Sequence, residues 1–139
     1  IATDDDKDLK ERDRLTIAHI RKLHSMWDKS KRDFGAMSKR SASHPNIAGC
    51  RFEVGLKGIV ATGVELDAGI VAIEKKFIQG VELSNADITG AATACNQLMS
   101  QIKAGQARCS ALRGMFKIAS SVASIRHSHN QNFRLKFKV

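Results

Sequence analysis

Residues 52–77, FEVGLKGIVATGVELDAGIVAIEKKF, decide the fold. Within them Phe52, Leu56, Ile59, Gly63, Leu66, Ile70, Ile73 and Phe77 recur at alternating steps of four and three, the period of one face of an α-helix. Pro45 suits a first helical position and Gly80 a stop. Between them the helix would run roughly 50 Å at 1.5 Å per residue. Gly55, Gly58, Gly63 and Gly69 lower its intrinsic propensity. They are expected to mark places where a neighbouring helix comes close, which puts this helix at the centre of a bundle.

Upstream, Ile20, Leu23, Trp27, Phe34 and Met37 repeat at helical intervals between Asp6 and about Lys39. The acids Asp4, Asp5 and Asp6 suit the positive end of that helix. Downstream, Ser84 followed three residues later by Asp87 reads as a capping box opening a third helix. Ile88, Ala91, Cys95, Leu98 and Ile102 would form its inner face. Gly105 is read as a tight reversal into a fourth helix, with Leu112, Met115, Ala119 and Val122 inward and Ser110, Arg113, Lys117 and Ser124 outward. The expected fold is all-α, an antiparallel bundle of about four helices, two long and two shorter, in one domain over residues 1–126.

Residues 127–139 are expected to form an extended basic amphipathic tail. From Phe133 to Val139 apolar and basic side chains alternate without exception, a period of two. In a strand Phe133, Leu135, Phe137 and Val139 would share one face, and Arg134, Lys136 and Lys138 the other. Such a tail would pack across the bundle, seek a membrane or partner, or stay disordered.

Charge is distributed unevenly. The formal net charge is +9. Residues 1–50 hold eleven basic and eight acidic side chains, and residues 51–100 hold four and six. From Gln101 to Val139 there is no Asp or Glu, against Lys103, Arg108, Arg113, Lys117, Arg126, Arg134, Lys136 and Lys138. A block of one sign suits an anionic partner, because a solvated surface without one mixes signs. The candidate anionic-surface residues are Arg108, Arg113, Lys117, Arg126, Arg134, Lys136 and Lys138. Phe133, Leu135 and Phe137 are the candidates for membrane insertion. On the first helix Arg21, Lys22, Lys29, Lys31, Arg32, Lys39 and Arg40 are interleaved with Asp28 and Asp33, which reads as a salt-bridged solvent face.

Catalytic and metal chemistry find no motif. There is no P-loop, GxGxxG, HExxH or paired CxxC. His127 and His129, with Cys109 or His44, make only a weak metal signal, and His19 and His24 are five apart, off a shared helical face. Glu65 and Asp67 point differently on a helix, which disfavours an acid–base pair. No enzymatic activity and no cofactor are therefore expected. Cys50, Cys95 and Cys109 are odd in number, and read as core residues or as one bridge and one leftover. With one Trp and no Tyr, binding by aromatic stacking is disfavoured. The start at Ile1 reads as a mature end after signal-peptide removal, or as a trimmed one.

The end of the second helix, Ile73-Glu74-Lys75-Lys76-Phe77, with the Gly-bearing link and Asn85-Ala86-Asp87-Ile88-Thr89-Gly90-Ala91 after it, resembles the abalone-type sperm lysins of marine gastropods and their fusogenic acrosomal paralogue. Size, basicity and two long leading helices are similar as well. Lysins are richer in Tyr and Trp and more basic, so the likeness leans toward the fusogenic paralogue. The resemblance implies a protein secreted from a secretory or acrosomal granule, acting in membrane fusion or gamete interaction.

Together these readings give a non-enzymatic, secreted, cationic helical bundle that binds or perturbs an anionic surface, a membrane or an acidic extracellular partner. The alternative is a nucleic-acid-binding bundle that sets Arg108, Arg113, Lys117 and Arg126 against phosphates without reading sequence. Oligomeric state is left open by the sequence.

Overall fold

A computed structural model of the protein describes residues 4–136, with side chains described over 9–130. Three helices account for nearly all of them: α1 (Asp4–Ala42), α2 (Arg51–Ile78) and α3 (Asn85–Lys136). At 1.5 Å per residue they measure about 58, 42 and 78 Å. The fold is all-α, as the periodicity indicates, but the described residues form three helices and not four.

The difference lies at Gly105. The chain does not reverse there: Gly105 is buried within α3, and the ring of Phe34 on α1 fills the space a β-carbon would need. Its missing side chain serves a helix–helix contact instead of a turn. The α1–α2 junction also differs from expectation. Pro45 lies in the connection over residues 43–50, and α2 opens at Arg51 behind Cys50, whose φ of −69° and ψ of 162° give the extended N-cap geometry without a side-chain bond to the helix.

The period-two tail is not a strand over Phe133 to Lys136, because α3 runs without a break through residues 126 and 127 to Lys136. A strand with no neighbour leaves its backbone N–H and C=O groups to water, whereas a continued helix pairs them internally. Phe137, Lys138 and Val139 lie outside the described residues.

Two end signals behave as read. Ser84 and Asp87 exchange hydrogen bonds, the Asp87 N–H donating to Ser84 Oγ and the Ser84 N–H to Asp87 Oδ2, both at 3.0 Å. Gly80, at φ +76°, closes α2: the Val81 N–H donates to Lys76 O at 2.9 Å and the Gly80 N–H to Phe77 O at 3.1 Å. That pair of bonds is the Schellman arrangement, which few residues but glycine complete.

The helices run up, down and up. Arg21 pairs with Glu74 at 2.7 Å and His24 with Asp67 at 2.8 Å, setting α1 antiparallel to α2. Lys76 reaches Asp87 at 3.0 Å across the α2–α3 hairpin. Arg12 donates to Asn85 Oδ1 at 2.9 Å and to Leu83 O at 3.2 Å, so the early part of α1 lies beside the start of α3. Between the helices lies one core, with Ile17, Ile20, Leu23, Trp27, Phe34 and Met37 from α1, Leu56, Ile59 and Ile70 from α2, and Ala91, Cys95, Leu98, Ile102, Cys109, Leu112 and Phe116 from α3. Each large aliphatic or aromatic side chain withdrawn from water there contributes about 1.5–3 kcal/mol. Trp27 meets Phe34 edge to face at 6.3 Å and lies flat against Gly63. Of the four α2 glycines, Gly63 and Gly55 are approached, by Trp27 and by Arg108, while Gly58 and Gly69 face open space.

Candidate anionic-surface site

α1 ends at Ala42 and α2 begins at Arg51, yet α3 continues to Lys136. Among the described residues the last buried side chain on α3 is Phe116, held by Arg40 of α1 and His44 of the connection. The Arg40 guanidinium lies 3.9 Å over its ring, and His44 meets it edge-on at 5.5 Å. Beyond that clasp α3 projects about 30 Å, twenty residues at 1.5 Å each. Every residue from Ser120 to Asn130 is exposed.

The sequence-derived cations divide on this frame. Arg108 is half-buried: its side chain covers Gly55, and Nη1 donates to Ala104 O at 3.4 Å. It is a packing residue, its stem filling the gap above a glycine. Arg113 and Lys117 are exposed and one turn apart on one side of α3. Arg126, also exposed, falls on the other side, one turn beyond Val122. Among the described residues none of Arg113, Lys117 and Arg126 forms an ion pair. Phe133, Arg134, Leu135 and Lys136 have helical backbone, but their side chains, like all of Phe137 and Lys138, lie outside what the structure describes. A helix turns each residue by about 100° from the last, so their alternation does not sort into two faces as it would in a strand.

Sequence reading missed residues that complete this end of the molecule. Arg40 is exposed, as its run on α1 is expected to be, and it also lines an open cleft of about 480 Å³ with Arg113, Asp33, Gln106 and Cys109. Ile118 and Ile125 are 66% and 68% exposed, and with Val122 at 40% they make an apolar stripe on the projecting helix. Val122, expected inward, is exposed because no fourth helix covers it; it faces the open groove beside the α1–α2 connection. The 118–122–125 spacing is the sequence signal for the stripe, and of the three only Val122 is assigned to a bundle face from sequence.

The connection over residues 43–50, beside the clasp, carries no Lys, Arg, Asp or Glu. Glu53, the first acid after it, is buried and held by Lys57 at 2.9 Å. The end of the bundle that carries the clasp is thus cationic, while Glu11, Asp13, Glu82 and Asp87 lie toward the other.

All three cysteines are free thiols, Cys95 and Cys109 buried and Cys50 half-buried. Burial raises the pKa of the Cys95 and Cys109 thiols; at Cys109 the nearby Arg113 works against that rise. Among the described residues no group of three or more His, Cys, Asp or Glu is placed to hold a metal ion, and no helix is long and apolar enough to cross a membrane. No protein family, curated protein or solved structure matches the chain.

Proposed function

We propose that the protein binds an anionic membrane surface without catalysis, through the projecting part of α3. One observation carries this reading: past Phe116 the exposed stripe Ile118, Val122 and Ile125 shares the helix with Lys117 and Arg126 of the acid-free basic block. Cations draw a protein to an anionic leaflet with about 1 kcal/mol per Lys or Arg near the surface. The apolar stripe on the same helix, with Arg126 one turn beyond Val122, then enters the headgroup boundary, as interfacial helices do. The stripe supports lipid over nucleic acid, because phosphate contacts need cations but no exposed aliphatic side chains.

On this reading the protein acts as a secreted, membrane-perturbing bundle. The fusion or gamete-interaction role implied by the sperm-protein resemblance would be one use of that property. Co-sedimentation with vesicles tests it. Vesicles rich in phosphatidylserine should carry the protein down at low salt, zwitterionic vesicles should not, and about 1 M salt should release most of it as screening shortens to about 3 Å. No sedimentation with the anionic vesicles at low salt rejects the reading, and a salt-sensitive complex with DNA in its place favours nucleic acid.

A further inference from the structure

We propose that the groove between the α1–α2 connection and α3 binds a single-chain anionic amphiphile, a fatty-acid carboxylate or an alkyl phosphate, as a dissolved monomer. The groove encloses about 520 Å³, and Ile47, Met115, Ile118, Ala119 and Val122 form its apolar wall. That size, and a mostly apolar lining with few polar groups, is the usual make-up of a small-molecule site. From Met115 to Arg126 it follows α3 for about 16 Å at 1.5 Å per residue, room for a medium-length alkyl chain laid along the helix.

The polar groups select the head. Arg126, His44 and Asn46 also line the groove. Arg126 offers a planar fork of donors that suits carboxylate and phosphate alike. The Asn46 backbone N–H donates to His44 Nδ1 at 3.3 Å. That leaves Nε2 as the protonated nitrogen of a neutral ring and hence a donor. No carboxylate lines the groove, so an anionic head meets no repulsion there, while a cationic head of the same chain length meets Arg126. The charge of the surroundings and the apolar wall therefore favour the same occupant.

This inference goes beyond the membrane reading, since a monomer needs no bilayer, and the two can fail separately. The test is calorimetric titration of the whole chain with dodecanoate, dodecyl phosphate and dodecyltrimethylammonium, each below its critical micelle concentration. The expected result is saturable one-to-one binding of at least one anion, with the cation at least tenfold weaker. The tighter anion names the source, a free fatty acid or a phosphate head. Ala119→Trp fills the groove and should weaken anion binding at least tenfold. Val122→Asn, on the projecting part of α3, serves the same purpose should the first variant not fold, as judged by circular dichroism. Absence of saturable binding, equal binding of the cation, or unchanged affinity in a folded groove variant overturns the proposal. Vesicle co-sedimentation of the unmodified chain, measured separately, reports on the membrane reading alone.

Discussion

The ring of Phe34 on α1 stands where a β-carbon on Gly105 of α3 would be. Gly105 thus packs against α1 inside one continuous helix, and no reversal occurs there. Two α-helices come this close only where one of them has no side chain to interpose, and an aromatic ring then fills the gap at interior density.

Gly105→Ala should therefore destabilise the protein by about 1–3 kcal/mol, the usual cost of overpacking, even though alanine is the better helix former by about 1 kcal/mol. Gly58 faces open space on α2. There the same change should stabilise by up to about 1 kcal/mol, because nothing opposes the propensity gain. Urea denaturation of the two variants gives the comparison, and stabilisation by both would contradict the Phe34 contact.

The α2–α3 hairpin should respond to pH through Asp87. Its carboxyl is held below the ordinary carboxylate value by the Ser84 backbone N–H first, and then by Lys76. A depressed folded value means stability that is full above the unfolded pKa and is lost as pH falls through the folded one. The loss should thus begin near pH 3.8 and continue below it. Asp87→Asn should flatten the acid limb of a stability–pH curve, and Ser84→Ala should cost about 1 kcal/mol at neutral pH as a lost cap. An acid limb unchanged by Asp87→Asn would show that the capping box is not formed in solution.

The thiols should differ in reactivity. Cys95 and Cys109 are buried with raised pKa values, so at neutral pH a thiol reagent should modify Cys50 first and the other two only on unfolding. Cys50 also has N-cap geometry with no side-chain bond to α2. Cys50→Ser supplies that bond and should raise stability by about 0.5–1 kcal/mol, seen as a higher denaturation midpoint. Rapid labelling of all three thiols in the native state would contradict the packing around Cys95 and Cys109.

Much of this architecture is legible in the sequence. The apolar period over α1 and α2 assigns most of the core face, because burial of one face and helical geometry make the same demand. The Ser84–Asp87 cap and the Gly80 stop are legible because each rests on chemistry within a few residues. Gly105 is not: a glycine that ends a helix and one that admits a neighbour's ring look alike until the neighbour is known. Residues 133–136 mislead for a related reason, since their alternation has meaning only beside a partner strand. Within the candidate site, Arg113, Lys117 and Arg126 are identified by the absence of acids around them. Arg108 is not separable from them by charge, because its role depends on Gly55, 53 positions away. Arg40 and His44 join the site through tertiary contacts, those with Phe116 among them, that leave no local signal.

The most direct test of the central claim, that binding resides on the cationic end of α3 from Arg113 onward and not in net charge, compares two triple variants of equal charge. Arg113, Lys117 and Arg126 are replaced by Gln in one, and Lys22, Lys29 and Arg32 in the other, where Asp28 already pairs with Arg32 at 2.7 Å. Partitioning onto phosphatidylserine vesicles at fixed salt is measured for both. At about 1 kcal/mol per cation the α3 variant should bind roughly a hundredfold more weakly. The α1 variant should stay within a few-fold of the unmodified chain, and both should keep its melting temperature, since exposed substitutions cost little. Equal losses in the two variants would contradict the claim, because net charge alone would then carry the binding.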